Sequence, residues 1–483
     1  MTVLNANETR AYIDGAWLDA QSGQTFQVFN PANGEQVAEV ADCGEIDVRK
    51  ASEAAKRAFN SWSRKPAKER AACLHKVAEN MRRSDEALAK ILVEECGKPL
   101  REAIGEIRYG ASYFQWFAEE AVRAYGEVIP SNSPANRFIA TKHPIGVCAL
   151  ITPWNFPNAM LARKTAAALA AGCTVIAKPA EDTPLSALAL GQILEQAGIP
   201  SGVFNVIPSS RREEMGTWIT QDPNIAKISF TGSTPVGRTL FEMSAPTLKK
   251  LSLELGGNAP FIIFDDADLD AAIDGVMASK FRNAGQTCIC TNRVFVHASI
   301  EETFAEMLTQ RVAQLKVGSG QDANTDVGPL INQRAAEKVS SLVTSACSEG
   351  AKVLIGGSPA PQGEWFYKPT VLGSVTNEMK IAREEIFGPV VTLIPFENDD
   401  EVIEMANSTE FGLAAYMYSD SVKRAWRVSE ELDYGMIGIN ESAISNAEIP
   451  FGGIKQSGQG REGSKHGLDD YMEIKFRLFG GIS

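Results

Sequence analysis

Residues 147–157 read Val-Cys-Ala-Leu-Ile-Thr-Pro-Trp-Asn-Phe-Pro, five apolar residues followed by a break at Pro153 and an aromatic, amide-bearing loop. A short, uninterrupted apolar run of this kind suits a strand buried on both faces. Similar runs follow at residues 174–177, 203–207, 227–231 and 250–255, their starts 27, 29, 24 and 23 residues apart. That is the length of a βα unit, and helical segments separate the runs. Thr183 reads as an N-cap with Pro184 at the first helical position, and Gly198 and Pro200 close that helix. Strands alternating with helices predict a parallel α/β sheet, on which ligands sit beyond the carboxyl ends of the strands.

The loops at those ends are therefore the first candidates for a site. They carry Trp154 and Asn155, then Lys178 and Glu181, then Gly232 and Ser233, then Glu254 with Gly256 and Gly257. The Gly232-Ser233 turn opens a helix whose free N–H groups suit an anion such as a pyrophosphate, although it is not the G-x-G-x-x-G fingerprint. It also reads as an ordinary strand-to-helix turn. Lys178 and Glu181 suit either the hydroxyls of a ribose or a solvated loop. Asn155 reads as an N-cap for the helix through Ala159, a role compatible with others.

Before these units, residues 45–119 read helical. Ala51, Ala54, Ala55 and Phe59 mark one apolar face, Ala71, Leu74, Val77, Ala78 and Met81 a second, and a third helix spans about residues 100–122. After them, residues 281–290 read Phe-Arg-Asn-Ala-Gly-Gln-Thr-Cys-Ile-Cys. Polar, flexible residues before Cys288 suit a partly exposed thiol with a favoured thiolate. Taken alone, Cys288 reads more readily as a small core residue. At the end of the chain Ile474, Phe476 and Leu478 alternate with Glu473, Lys475 and Arg477. That pattern predicts a half-buried strand, with residues 137–142 or another subunit as its partner.

Composition bounds the rest. A chain of 483 residues with 44% hydrophobic and 22% charged residues predicts two or three domains with substantial cores. The formal charge of −13 argues against nucleic acid or an anionic membrane as partner. Eight cysteines in so long a chain are not a disulfide framework, and the four histidines have no metal-ligand spacing, so no metal is expected. Met1 to Trp17 lack the order of a signal peptide, and no apolar run reaches the ~20 residues of a membrane span. These readings predict a soluble, cytoplasmic protein.

Six stretches in order, Pro153-Trp154-Asn155, Lys178-Pro179-Ala180-Glu181, Phe230-Thr231-Gly232-Ser233, Glu254-Leu255-Gly256-Gly257, Gly285-Gln286-Thr287-Cys288 and Glu385-Ile386-Phe387-Gly388-Pro389, resemble the aldehyde dehydrogenase superfamily. More narrowly, residues 280–290 with Arg163 resemble the succinate-semialdehyde dehydrogenases, and glutarate-semialdehyde enzymes carry similar stretches. The resemblance implies a Rossmann-like cofactor domain (residues 1–126 and 148–256), an α/β catalytic domain (257–456) and a small β oligomerisation arm (127–147 and 470–483) of a homodimer or homotetramer.

It also implies roles. Cys288 would add to the aldehyde, with the Asn155 amide and the Cys288 N–H holding the oxyanion, and Glu254 would activate water against the resulting thioester. Trp154, Lys178, Glu181, Gly232, Ser233, Glu385 and Phe387 would contact the cofactor. Glu181 would bind both adenosine-ribose hydroxyls and repel a 2′-phosphate, so NAD is expected over NADP, with NADP possible. Arg163, Arg282 and Ser445 would hold the carboxylate at the far end of a semialdehyde. The subgroup also implies a redox switch between Cys288 and Cys290. Glu254, Lys178 and Cys288 superficially match the set of nitrilase-like amidases as well, a hydrolase reading that leaves the βα units unexplained. A non-catalytic protein would not need Cys288, Glu254 and Asn155 together, and Glu254 argues against a coenzyme A-dependent enzyme.

Overall fold

The computed structural model describes residues 8–482; the start of the segment read for a signal peptide, Met1 to Asn7, and the last residue of the arm, Ser483, lie outside the described residues. The expected strands form one sheet. They are β1 (Val147–Ile151), β2 (Thr174–Lys178), β3 (Phe204–Val206), β4 (Ile225–Thr231) and β5 (Lys250–Glu254), ordered β3-β2-β1-β4-β5 and parallel throughout. The order reverses between β1 and β4, which makes the crevice over their carboxyl ends the natural place for a ligand. Short antiparallel strands extend both edges, Ala11–Ile13 with Ala16–Leu18 beside β3, and Gly458–Gln459 beside β5.

Four helices precede this sheet rather than three: α1 (Glu45–Trp62), α2 (Ala67–Arg83), α3 (Asp85–Cys96) and α4 (Leu100–Ala121). The additional one, α3, buries Leu88, Ala89, Ile91, Leu92, Val93, Glu95 and Cys96, too much of its circumference to leave a clean apolar stripe. The crossover helices are α5 (Pro157–Ala171), α6 (Leu185–Gln196), α7 (Arg212–Gln221) and α8 (Thr234–Ser244).

Two expected caps are replaced from a distance. Asn155 does not cap α5, whose Asn158 and Ala159 N–H groups donate to the Glu106 carboxylate at 3.0 and 3.1 Å. Nor does Thr183 cap α6; Leu185 and Ser186 N–H donate to Glu95 at 2.7 and 2.9 Å, and the buried Thr183 hydroxyl has no partner. In each case a buried carboxylate from the helical layer takes the place of the cap, Glu106 for α5 and Glu95 for α6. Burial pushes the Glu95 carboxyl up to about 8, against the pull of the Ser186 and Leu185 donors.

A second sheet of seven strands orders Lys352–Ile355, Thr370–Gly373, Val390–Phe396, Thr291–His297, Ala259–Ile263, Ala414–Tyr418 and Met436–Ile439, all parallel but the first. Its core is the larger apolar cluster, built around Phe261, Phe295 and Tyr416. Helix α9 (Leu269–Lys280), whose N-cap Asp268 accepts from Ala271 N–H at 3.1 Å, leads into the Cys288 segment.

The alternating strand Met472–Phe479 pairs antiparallel with Arg137–Pro144, with Ile474 opposite Lys142 and Phe476 opposite Ala140. It is not half-buried within the chain. Ile474 is 75% exposed, Phe476 55% and Leu478 54%, so the apolar row predicted by alternation has no cover in one copy. Among the described residues no helix is long and apolar enough to cross a membrane.

Candidate active site

Cys288 sits in a turn with costly backbone geometry. Asn283, Ala284 and Gly285 adopt left-handed φ values of 51, 54 and 74°, and a Cβ on Gly285 would stand 2.2 Å from the Gly388 carbonyl oxygen. The turn is held from several sides. The Gln286 side chain donates to Asn283 O at 3.1 Å and accepts from Ile331 N–H at 2.9 Å, while the Tyr416 hydroxyl donates to Ile289 O at 2.8 Å. Gly257 packs so close that its Cβ would lie 2.6 Å from the Cys288 carbonyl oxygen. The loop after β5 and the nucleophile turn are thus in contact.

The Cys288 thiol is half-buried, and burial pushes it up to about 12, with the Arg163 and Arg282 charges pulling it down and Glu385 and Glu254 pushing it up. Burial thus favours the protonated thiol in the free protein, against the pull of the two arginines. Cys290 is a free, buried thiol directed at the main-chain oxygens of Thr291 (3.4 Å) and Lys280 (3.8 Å).

Asn155 faces this turn. Its Nδ2 donates to Gln286 O at 2.9 Å, leaving a second N–H free for a ligand, and its Oδ1 is buried without a partner. Its own carbonyl accepts from Asn283 Nδ2 at 2.9 Å and from Lys98 Nζ at 2.7 Å. Lys98 is in turn paired with Glu106 at 2.5 Å, both side chains wholly buried, and Glu106 is the distant cap of α5. One buried pair therefore fixes the loop that carries Trp154 and Asn155. Removing a single partner leaves the other charge buried and unpaired. Lys98→Met is expected to cost about 3–5 kcal/mol in chemical denaturation, and Lys98→Met with Glu106→Gln combined is expected to cost less than the sum of the two single variants.

Glu254 ends β5 and is buried, not an exposed strand end; its Oε2 has no hydrogen-bond partner. Burial and the neighbouring Glu462 hold its carboxyl well above the usual carboxylate range, against Arg163, Lys164 and Arg461. A carboxylate so placed keeps its proton where an exposed one is ionised, and once ionised it is a stronger base than an exposed carboxylate. Glu462 was not singled out in the sequence. It lies between Gly460 and Gly463 and takes both cations of α5: Arg163 Nε contacts its Oε2, and Lys164 Nζ its Oε1. The glycine-bracketed Arg-Glu pair was the available signal.

Every residue of α5 is buried, so Arg163 and Lys164 are not a solvated face. The Arg163 guanidinium lies over the Phe451 ring, 4.4 Å from its centroid, and its Nη1 and Nη2 have no hydrogen-bond partner. Arg282 is exposed, with its guanidinium 5.2 Å from the centroid of Phe156. The Ser445 hydroxyl meets Tyr109 OH at 2.6 Å, and Tyr109 OH meets Tyr113 OH at 2.7 Å, two tyrosines the sequence had not marked.

The remaining candidates line the crevice. Trp154 and Phe387 pack edge-on at 5.4 Å between centroids. Glu385 accepts from Gly257 N–H at 3.1 Å, and burial pushes it up to about 6. Lys178 is buried at the end of β2 with its Nζ 3.3 Å from Glu181. Ser233 is the N-cap of α8, and beside Gly232 the buried Thr231 hydroxyl has no partner. An orphaned hydroxyl, a free helix start and a buried lysine–carboxylate pair at strand ends are what a dinucleotide's phosphates and riboses require. Among the described residues no group of three or more histidine, cysteine or acidic side chains could hold a metal ion.

A profile of the aldehyde dehydrogenase family matches residues 17–476. The chain belongs to that family. It is an NAD(P)-dependent oxidoreductase by class. Relatives include the 3-sulfolactaldehyde dehydrogenase of Pseudomonas putida, 53% identical over 98% of this chain and 97% of that protein. The glutarate-semialdehyde dehydrogenase of Pseudomonas aeruginosa is 50% identical, covering 98% of each. The succinate-semialdehyde dehydrogenase (NADP(+)) GabD of Escherichia coli is also 50% identical, over 99% of this chain and 98% of that one. The crystal structure of succinate-semialdehyde dehydrogenase from Burkholderia pseudomallei superposes with a TM-score of 0.98 at 51% identity, covering 99% of each chain. The family match does not favour the hydrolase reading, and Lys178 pairs with Glu181.

Proposed function

We propose that the chain oxidises a short aldehyde carrying an acidic group at its far end, with succinate semialdehyde to succinate as the principal reaction and NAD as the preferred cofactor. One observation carries the reading: the buried Arg163 guanidinium, with two terminal nitrogens lacking partners, stands near enough to Cys288 and Glu254 to influence both. A buried cation with unused donors calls for an anion, and a carboxylate meets the guanidinium bidentately. Arg282 and the Ser445 hydroxyl supply further donors for it.

The residues then divide the reaction. Cys288 Sγ bonds to the aldehyde carbon, its thiol proton passing to Glu254, and the carbonyl oxygen becomes an oxyanion held by Asn155 Nδ2 and the Cys288 N–H. When bound, the nicotinamide would supply the hydride acceptor, and loss of hydride from that carbon would leave Cys288 as a thioester. Once Glu254 has released the thiol's proton to solvent, it removes a proton from water; the hydroxide adds to the thioester carbon, the C–S bond breaks, the departing sulfur takes the proton from Glu254, and the acid and the thiol are released. Lys178 and Glu181 would hold the adenosine ribose, Gly232, Ser233 and Thr231 the pyrophosphate end, and Glu385, Phe387 and Trp154 the nicotinamide half.

The test is a panel of succinate semialdehyde, glutarate semialdehyde, 3-sulfolactaldehyde and butanal, with NAD and NADP in parallel. The acidic aldehydes are expected to exceed butanal in kcat/KM by roughly a hundredfold, since each charge-assisted contact contributes about 1.5–3 kcal/mol. Arg163→Ala is expected to raise KM for the acidic aldehydes about ten- to a hundredfold and to leave butanal within a few-fold. Equal losses on both kinds of substrate would remove Arg163 from substrate binding.

The same reading makes the sheet of β1 to β5 with residues 1–126 the cofactor unit, residues 257–456 the catalytic unit and the paired strands of 127–147 and 470–483 an arm. The uncovered row of Ile474, Phe476 and Leu478 supports assembly as a homodimer or homotetramer. Its charge of −13 and reduced cysteines suit a cytoplasmic enzyme. Oxidation joining Cys288 to Cys290 would block the nucleophile. Peroxide inactivation reversed by thiols is expected for the native chain and lost in Cys290→Ala; reversal that persists in that variant excludes the pair.

A further inference from the structure

Strands β2 and β3 are neighbours, so the loops at their carboxyl ends lie side by side. The first contributes Lys178 and Glu181. The second contributes Arg212, the first residue of α7. Arg212 Nε lies against Glu181 Oε1, while Lys178 Nζ stands 3.3 Å from Oε2. One carboxylate is bracketed by two cations.

The two cations differ. The Lys178 side chain is 8% exposed and fixed beneath the loop, whereas that of Arg212 is 60% exposed and approaches from outside. Arg211, its neighbour, is committed elsewhere: its Nη2 donates to Asp42 O at 2.9 Å and its guanidinium lies 5.6 Å from the centroid of Trp218. Asp182 adds a further acidic group close to Glu181 and Arg212. A carboxylate whose task is to accept two ribose hydroxyls does not require a surface arginine. A 2′-phosphate does, because a lone Glu181 would repel it.

We propose that Arg212 is a specificity-determining residue: it screens Glu181 and supplies the outer cation that meets a 2′-phosphate, so that a site built on Glu181 also accepts NADP. This rests on the reading of residues 178–181 as the adenosine-ribose site. Lys178 is buried and shared between both cofactors; Arg212 is the group whose contribution depends on the phosphate.

The experiment uses the full-length enzyme and two probes that differ only in the 2′-phosphate, 5′-AMP and adenosine 2′,5′-bisphosphate, titrated by calorimetry. The NADP-to-NAD ratio of kcat/KM is measured alongside. Arg212→Ala is expected to weaken the bisphosphate relative to 5′-AMP by about tenfold and to lower the kinetic ratio to match. Arg212→Glu is expected to lower both further, and Arg212→Lys to restore most of the loss. An unchanged ratio in both measurements overturns the proposal. So does an equal loss for the two probes, which would make Arg212 a structural clamp on Glu181, and so does failure of the native enzyme to bind either. If no aldehyde supports NAD(P) reduction, the functional reading fails instead, and the calorimetric arm still decides Arg212.

Discussion

Cys288→Ala is expected to abolish aldehyde oxidation, with kcat falling on the order of 10⁵–10⁶-fold, as when a covalent nucleophile is removed elsewhere. Cofactor binding is expected to survive, because Lys178, Glu181, Ser233 and Glu385 lie on other loops. Nicotinamide fluorescence titration separates the two effects, and activity above about one hundredth of native would remove Cys288 from the nucleophilic role. Its environment adds a pH signature. With burial pushing the thiol up to about 12, the thiolate fraction of the free enzyme grows with pH throughout the neutral and alkaline range. Alkylation by iodoacetamide is expected to accelerate accordingly. Arg163→Ala takes away a charge that lowers the thiol, so alkylation at pH 8 is expected to slow.

Glu254→Gln carries the second large effect. General-base assistance is worth about 10²–10⁴-fold, and most of that loss is expected to fall on thioester hydrolysis. Rapid mixing would then show a burst of NADH of up to one equivalent per site, followed by slow turnover, with the acyl group recoverable on Cys288 by mass spectrometry. A loss of the burst together with the steady state would instead place Glu254 chiefly in thiol activation. The sign of the pH effect follows from burial. Glu254 retains its proton at pH values where an ordinary carboxylate is ionised, so its base form appears as pH rises through the elevated pKa, and hydrolysis rises with it. That limb is expected to vanish in Glu254→Gln.

The parts of the molecule legible in its sequence were those determined by short-range pattern. Parallel strands buried on both faces read as compact apolar runs, and all five expected in the first sheet are present, within one or two residues at their ends. Cys288, Glu254 and Asn155 stood out as candidates because each ends a strand or follows a strand or a glycine turn. What escaped was set by contacts far along the chain. Asn155 and Thr183 have the chemistry of N-caps, yet Glu106 and Glu95 occupy those positions from other helices. Glu462 and Lys98 act only through partners brought to them by the fold, Arg163 and Lys164 for one and Glu106 for the other. The thiol of Cys288 read as partly exposed and is half-buried, while the polar groups before it bond to one another and hold the turn.

The borrowed caps bear on how the enzyme is made. Helices α5 and α6 follow the loops of Asn155 and Lys178, and neither has a side-chain cap of its own. Each depends on a carboxylate that lies earlier in the chain, Glu106 before Pro157 and Glu95 before Leu185. A ribosome releases the carboxylates first, and N-terminal segments fold ahead of later ones. Helices α3 and α4 can thus be standing when their clients emerge, so synthesis order and cap order coincide. A circular permutant opened between α4 and β1 would reverse that sequence of events while leaving every final contact in place. It would reach the same fold more slowly, because the nascent α5 and α6 would wait with their first N–H groups unsatisfied until the whole chain was complete.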